Sequence, residues 1–209
     1  MKHGFGVANF ANGQKYEGHW AKGTKNGHGV FFFPGGNIYD GEWKDDTKEG
    51  YGVAKFSSGN RYEGEWRRDA MFGQGTFFYL NGDIYSGQWS DNKKEGLGTW
   101  TSQNGTDRYE GAWENDMRHG VGTLFHGGQS YSVHYEKGQL LACYSLQDGV
   151  ESPLANVDYT EFVSTSMAAN SLAKRQSFYA PEWKSNAPHL PTSCKVSEDG
   201  NEHIVICVM

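Results

Sequence analysis

Apolar and polar residues alternate with a period of two along most of the chain, and glycine punctuates the alternation. Tyr16, Gly18 and Trp20 fall on one side of such a ribbon, while Glu17 and His19 fall on the other. A second kind of segment follows, in which Gly27, Gly29, Phe31 and Phe33 share a face. The corresponding sets further on are Gly50, Gly52, Ala54, Phe56 and Gly73, Gly75, Phe77, Tyr79. Both kinds of segment predict strands. A helix is disfavoured, because the apolar spacing is two and Gly recurs too often for a helix interior. Glycine on the aromatic side would leave room for a neighbour's ring, which offsets its entropic cost inside a strand.

The two segments make one unit, and the unit returns. Tyr-x-Gly-x-Trp begins at Tyr16, Tyr39, Tyr62, Tyr85 and Tyr109, at intervals of 23, 23, 23 and 24 residues. Seven residues after each Trp comes Gly-x-Gly: Gly27/Gly29, Gly50/Gly52, Gly73/Gly75, Gly96/Gly98 and Gly120/Gly122. A sixth pair, Gly4/Gly6, opens the chain without a preceding Tyr-x-Gly-x-Trp, so the sequence reads as starting in mid-unit. Between units lie Asn12-Gly13, Gly35-Gly36, Ser58-Gly59, Asn81-Gly82, Asn104-Gly105 and Gly127-Gly128, dipeptides that tolerate positive φ and predict tight turns. The third residue after each Trp is Gly23, Asp46, Asp69, Asn92 or Asp116. All three residue types enter the left-handed region readily, so one local conformation is expected there throughout. The last copy, Tyr131-Ser132-Val133-His134-Tyr135, puts Val for Gly and Tyr for Trp. An atypical terminal unit is expected where a stacked array stops.

Five copies of Tyr-x-Gly-x-Trp plus Gly-x-Gly in register resemble the MORN repeat (membrane occupation and recognition nexus) over about residues 3–138. The resemblance implies antiparallel hairpins laid side by side into a long, twisted sheet. With strands ~4.8 Å apart and two per unit, each unit would advance the stack by ~10 Å. The expected fold is therefore all-β: an elongated single-layer antiparallel sheet of stacked β-hairpins over 1–138, followed by a short helical and irregular tail over 139–209. In the tail, Asp158-Tyr159-Thr160-Glu161 has the form of an acidic capping box, and Phe162, Val163, Met167, Ala168 and Leu172 form a helical stripe. Lys174 and Arg175 suit a helix C-terminus, so a helix is predicted over 158–175. The segment would act as an end cap or a flexible tail, or the helix would lie on the aromatic face and compete with an external ligand. Pro181, Pro188 and Pro191 argue against regular structure beyond it.

Composition narrows the function. The 209 residues carry a net charge of −6, and the loops after each Trp hold basic and acidic side chains in nearly equal number. Nucleic-acid binding is thereby disfavoured, and anionic-lipid attraction is expected to be weak or absent. No stretch approaches the ~20 apolar residues of a membrane span, and no leader pattern precedes the repeats. Cys143, Cys194 and Cys207 are scattered and odd in number, which suits a reducing compartment and a cytoplasmic protein. Cys207 stands third from the end where prenylation needs the fourth. The His residues have no metal-ligand spacing with Cys or paired carboxylates. Gly-x-Gly lacks the strand-to-helix setting and the Lys-Ser/Thr of a phosphate loop. The expectation is a protein that is not an enzyme and has no cofactor and no metal.

A single-layer sheet cannot bury both faces on itself. Its aromatic face, with Tyr39, Trp43, Tyr62, Trp66, Tyr85 and Trp89, is expected to serve both as core and as a strip for a protein partner, a helix or a strand, with core the larger share for each Trp. Gly4–Phe10 would be the first strand of the sheet, and its open edge predicts pairing with another copy or a partner. Arrays of this length resemble those of radial-spoke-head proteins and cytoskeletal adaptors. That resemblance implies an interaction scaffold on the cytoskeleton or in a cilium or flagellum. The alternative is a membrane-surface, phosphoinositide-binding adaptor.

Overall fold

The structure is a computed structural model; it describes residues 1–146 in full and three two-residue strands beyond them. The strands are β1 (Gly4–Asn9), β2 (Lys15–Ala21), β3 (Thr24–Phe32), β4 (Ile38–Lys44), β5 (Thr47–Lys55), β6 (Arg61–Arg67) and β7 (Ala70–Phe78). They continue as β8 (Ile84–Ser90), β9 (Lys93–Thr101), β10 (Arg108–Glu114), β11 (Met117–His126), β12 (Gln129–Glu136) and β13 (Gln139–Ser145). All thirteen lie in one antiparallel sheet in strictly sequential order, and β14 (Ser152–Pro153) pairs with the end of β13. The short strands β15 (Lys195–Val196) and β16 (Val205–Ile206) pair with each other. The helix expected over 158–175 lies outside the described residues.

The repeating unit is a hairpin whose turn is built from two residues with positive φ. The pairs are Lys22-Gly23, Asp45-Asp46, Arg68-Asp69, Asp91-Asn92, Asn115-Asp116 and Lys137-Gly138, with φ between 47° and 91°. Positive φ at both central residues defines the type I′ turn, whose twist matches that of the flanking strands. The expected left-handed position is found in every unit, and the residue before it is left-handed as well. Connections between units are looser. In Asn12-Gly13, Ser58-Gly59, Asn81-Gly82 and Asn104-Gly105 only the Gly has positive φ. Gly127-Gly128 is a two-residue turn with both φ positive, which accounts for the shorter spacing there.

Within each hairpin that carries Gly-x-Gly the register breaks once, on that strand. Gly18 faces Gly29, but Trp20 faces Lys25, so Asn26, Gly27 and His28 bulge against His19 alone. The same break recurs at Gly41/Trp43, Gly64/Trp66 and Gly87/Trp89. The bulge separates the roles of the two glycines. Gly27, Gly50, Gly73, Gly96 and Gly120 all have positive φ, between 61° and 85°. A Cβ on any of them would point toward the opposite face, at His19, Glu42, Glu65, Gln88 or Ala112. The expectation that these first glycines make room for rings is therefore corrected: they serve the backbone of the bulge. The second glycines do make room. A Cβ on Gly52 would lie 2.6 Å from Cε2 and Cζ of Tyr39.

Candidate functional site: the ring face of the sheet

The face that carries Tyr, Gly and Trp is lined by one unbroken row of rings. Trp20, Tyr16, Trp43, Tyr39, Trp66, Tyr62, Trp89, Tyr85, Trp113, Tyr109 and Tyr135 meet edge to face in that order. Centroids are 5.0–5.6 Å apart and planes cross at 79–89°. Edge-to-face pairs of this kind add ~0.5–1.5 kcal/mol each beyond area burial. Each Tyr stands between its own Trp and the Trp of the next unit, so the row joins units to one another. Tyr135, which replaces Trp in the degenerate unit, closes the row with the same geometry.

Both polar tips are satisfied inside this row. Each indole N–H reaches back to the second glycine of the preceding unit. Trp43 Nε1 donates to the Gly29 carbonyl at 2.9 Å, and Trp66, Trp89 and Trp113 donate to Gly52, Gly75 and Gly98 at 3.1 Å. Each Tyr hydroxyl donates to the carbonyl of the residue before its own Trp, as Tyr39 does to Glu42 at 3.0 Å. Burial pushes the Tyr16 and Tyr109 phenols up to about 12 and raises those of Tyr39, Tyr62 and Tyr85 further.

The six residues expected to form the partner strip are all in this row. Tyr62 and Tyr85 have no exposed surface, Tyr39 has 1%, and Trp43, Trp66 and Trp89 have 4–5%. Their burial is that of a core. What the ring face offers outward is a second layer that the sequence reading did not single out. Lys25, Lys48 and Lys94 place their ammonium groups 4.1, 4.4 and 4.5 Å from the centroids of Trp43, Trp66 and Trp113. At the N-terminal end Lys2 stands 4.1 Å over Trp20, and at the other end the Arg118 guanidinium lies 4.7 Å over Tyr109. The equivalent position in the remaining unit is Met71, which is buried in the core. Residues 25, 48, 71, 94 and 118 were legible as a column five residues after each Trp, and residue 2 stands one repeat period before the first of them. Reading charge only as a loop total hid them. Burial lowers the pKa of Lys25 and Lys48, with Asp46 and Asp69 opposing the shift. The rings of Phe33, Tyr79 and Trp100 lie 5.4–6.0 Å from Lys48, Lys94 and Arg118, and Phe56, Phe77 and Leu140 are further half-buried apolar side chains packed against the core.

Two ladders of oxygen acceptors hold successive units in register. On the edge of the type I′ turns, Asp46 Oδ1 accepts from the Lys25 backbone N–H, Asp69 from Lys48, Asn92 from Met71 and Asp116 from Lys94, each at 2.9 Å. On the opposite edge Asn37, Asn60 and Asp83 accept from the backbone of Ser57, Leu80 and Gln103 at 2.7–3.0 Å. Asp107 meets His126 Nδ1 at 2.7 Å in the corresponding place.

The other face is polar with isolated apolar residues. Tyr51, Leu97 and Val121, the middle residues of their Gly-x-Gly motifs, are 60–68% exposed. Units alternate in character here. Lys15, Arg61 and Arg108 each cover a phenylalanine of the next strand (Phe32, Phe78, Phe125) and pair with Glu17, Glu63 and Glu110. Ile38 and Ile84 occupy that place in the units between. His119 Nδ1 lies 3.4 Å from Glu114 Oε2 but makes no hydrogen bond. The Cys143 thiol is buried and raised to about 11, which suits packing and not reactivity. Among the described residues no group of three or more His, Cys, Asp or Glu could hold a metal ion, and no helix is long and apolar enough to cross a membrane.

A sequential sheet of identical hairpins, tied by rings and by acceptor ladders, defines a β-repeat protein whose surfaces are extended strips. Comparison with family models gives the particular class. The MORN repeat matches at residues 1–15, 16–38, 39–61, 62–84, 85–107 and 109–129, and the chain belongs to the MORN-repeat family. The degenerate unit that forms β12 lies beyond the matched segments yet continues the sheet. A comparison with curated proteins gave no match. MORN repeats suggest a protein-interaction or membrane-binding role, and the family is generally non-catalytic.

Proposed function

We propose that this protein is a non-catalytic interaction scaffold, cytoplasmic and attached to the cytoskeleton or to a cilium or flagellum, with a protein partner on the ring face. The observation that carries the reading is the outward layer of that face. Half-buried apolar rims and cations cover a row of rings along the whole sheet, an extended surface of the kind stacked repeats offer to partners. Aromatic floors with basic side chains are also rich in the residue types that dominate interface energetics. The resemblance to radial-spoke-head and cytoskeletal arrays supports the placement. A second contact is proposed at the edge of β1, which among the described residues pairs with β2 alone and exposes Phe5 and Val7. Another copy or a partner strand would extend the sheet there.

The test compares proteins retained by the full chain and by three variants. Proteins lost with Phe56→Gln and Lys48→Gln but kept with Tyr51→Gln, on the other face, would support the ring-face scaffold. For the placement, they must include filament or axonemal components. Equal retention by all variants sinks the reading. For the β1 edge, Val7→Pro should abolish any dimer seen in sizing. The membrane-surface reading is favoured by the cations gathered over the Trp rings, whose place on one face a loop total does not show. Flotation with vesicles, with and without anionic lipid, decides it.

A further inference from the structure

The geometry points to a charge register on the ring face: we propose that it takes an amphipathic partner helix lying across the strands, with acidic residues at i, i+7 and i+21 and an apolar residue at i+14. This rests on the partner-scaffold reading and adds which partner fits.

Lys25, Lys48, Met71 and Lys94 occupy the same position in four successive units. Equivalent residues of successive units are two strands apart, so the column repeats about every 9.6 Å across the sheet. A helix rises about 10.5 Å in seven residues. An acid at every seventh position therefore meets one cation per unit. The mismatch of about 1 Å per unit grows to about 3 Å from Lys25 to Lys94, within the swing of Lys and Glu side chains. A helix drifts only about 20° per heptad, so the same face stays turned to the sheet over these units. An extended partner does not fit. It rises about 3.3 Å per residue, so every third residue would coincide with a unit, and alternate ones would point away.

The cations are prepared for carboxylates. Lys25 Nζ stands 4.0 Å from Asp46 Oδ1, too far for a hydrogen bond, and its side chain is 14% exposed. Among the described residues the one buried side-chain nitrogen or oxygen without a partner is His119 Nδ1, so the ammonium groups are not sealed in unsatisfied. Burial already lowers the pKa of Lys25 and Lys48, and a partner carboxylate would replace the hydration they have lost. Met71 breaks the column. An acid presented there would be desolvated against a thioether and rings with no counter-charge. The break sets the register, because a helix shifted by one heptad would put an acid on Met71. Lipid headgroups carry no such spacing.

The experiment uses the full chain and labelled synthetic helical peptides of roughly four heptads. One carries Glu at i, i+7 and i+21 with Leu at i+14. A second has Lys for those Glu, a third has Gln there, and a fourth adds Glu at i+14. Anisotropy should show the first binding at least about tenfold tighter than the second and third, with the margin shrinking as salt rises. Lys48→Gln should weaken it about three- to tenfold and Lys48→Arg should restore it, with near-ultraviolet circular dichroism confirming the fold. Met71→Lys should transfer the preference to the fourth peptide. Lys25→Gln and Lys94→Gln repeat the test should Lys48→Gln not fold. Equal affinity for the Glu, Gln and Lys peptides overturns the register while leaving a ring-face partner standing. No binding by any peptide overturns both for a helical partner. Lysine-dependent binding to phosphatidylserine vesicles without peptide binding overturns the proposal in favour of a membrane.

Discussion

At the residue scale, the chemistry of this sheet is set by where a Cβ can exist. Gly52 is enclosed by the Tyr39 ring, whereas Gly105 has positive φ and nothing within 4 Å of a Cβ. Gly52→Ala must displace the ring that bridges two Trp residues, and overpacking of this kind costs ~1–3 kcal/mol or more. Gly105→Ala meets only the backbone penalty of a left-handed residue, ~1–2 kcal/mol. Urea midpoints should therefore fall further for Gly52→Ala, and aromatic circular dichroism should change for that variant alone. The buried phenols make a second prediction at this scale. Tyr16 and Tyr109 ionise near 12 in the folded protein, against about 10 when unfolded. Above pH 10 the unfolded chain releases these protons first, so stability is complete below about pH 10 and is lost as pH rises toward 12. Absorbance at the phenolate band should show the buried tyrosines ionising together with unfolding. A smooth titration of all tyrosines in a folded sample would contradict their burial.

At the element scale, the type I′ turns do more than reverse the chain. Asp69 receives the Lys48 N–H on its carboxylate at 2.9 Å and donates its own N–H to the Lys48 carbonyl at 3.1 Å, so one turn residue ties two hairpins. Asn92 does the same for Met71 at 2.9 and 3.1 Å. Asp69→Asn should thus be close to neutral in thermal unfolding. Asp69→Ala loses the acceptor and the short polar side chain that lets Asp and Asn occupy φ 68°, for a cost of ~1–3 kcal/mol. Equal stability of the two variants would mean that the ladder contributes nothing. The connections between units vary from two to six residues, whereas every hairpin turn keeps its two left-handed residues, so length changes collect between units.

At the scale of the whole molecule, every strand from β1 to β13 pairs, among the described residues, only with its neighbours in sequence. The most distant paired residues are 17 apart, as in Gly96 with Trp113, and Gly4 with Trp20 and Gly27 with Trp43 are 16 apart. This all-β protein has the contact order of a local fold, and folding rate follows contact order. Refolding from urea should be complete within about milliseconds for the main phase, far faster than sandwiches of similar size. A main phase of seconds at low protein concentration would show that pairing of the repeats is rate-limited by something other than topology. Among the described residues 1–146 the sheet is a single layer, so stability there is a sum of hairpin and interface terms and not of one central core.

The sequence by itself determined the strands, the unit, the ring face and the family, because these depend on spacing along the chain. Tyr and Trp at a separation of four in an extended ribbon must share a face, and a fixed period must stack. Only the tertiary structure decided which residues of that face remain available. The bulge at Gly27 and its equivalents turns the first glycine of each pair away from the rings, and a period-two reading through Gly-x-Gly cannot register it. Stacking then buries the very rings that the sequence marks most strongly, because each Tyr fills the gap between two units. The lysines, unremarkable in a count of charges, come to lie over those rings because a neighbouring hairpin supplies the Trp beneath them. Contacts between units, 14 to 28 residues apart in the chain, are what convert a repeated phrase into a surface with a cationic register.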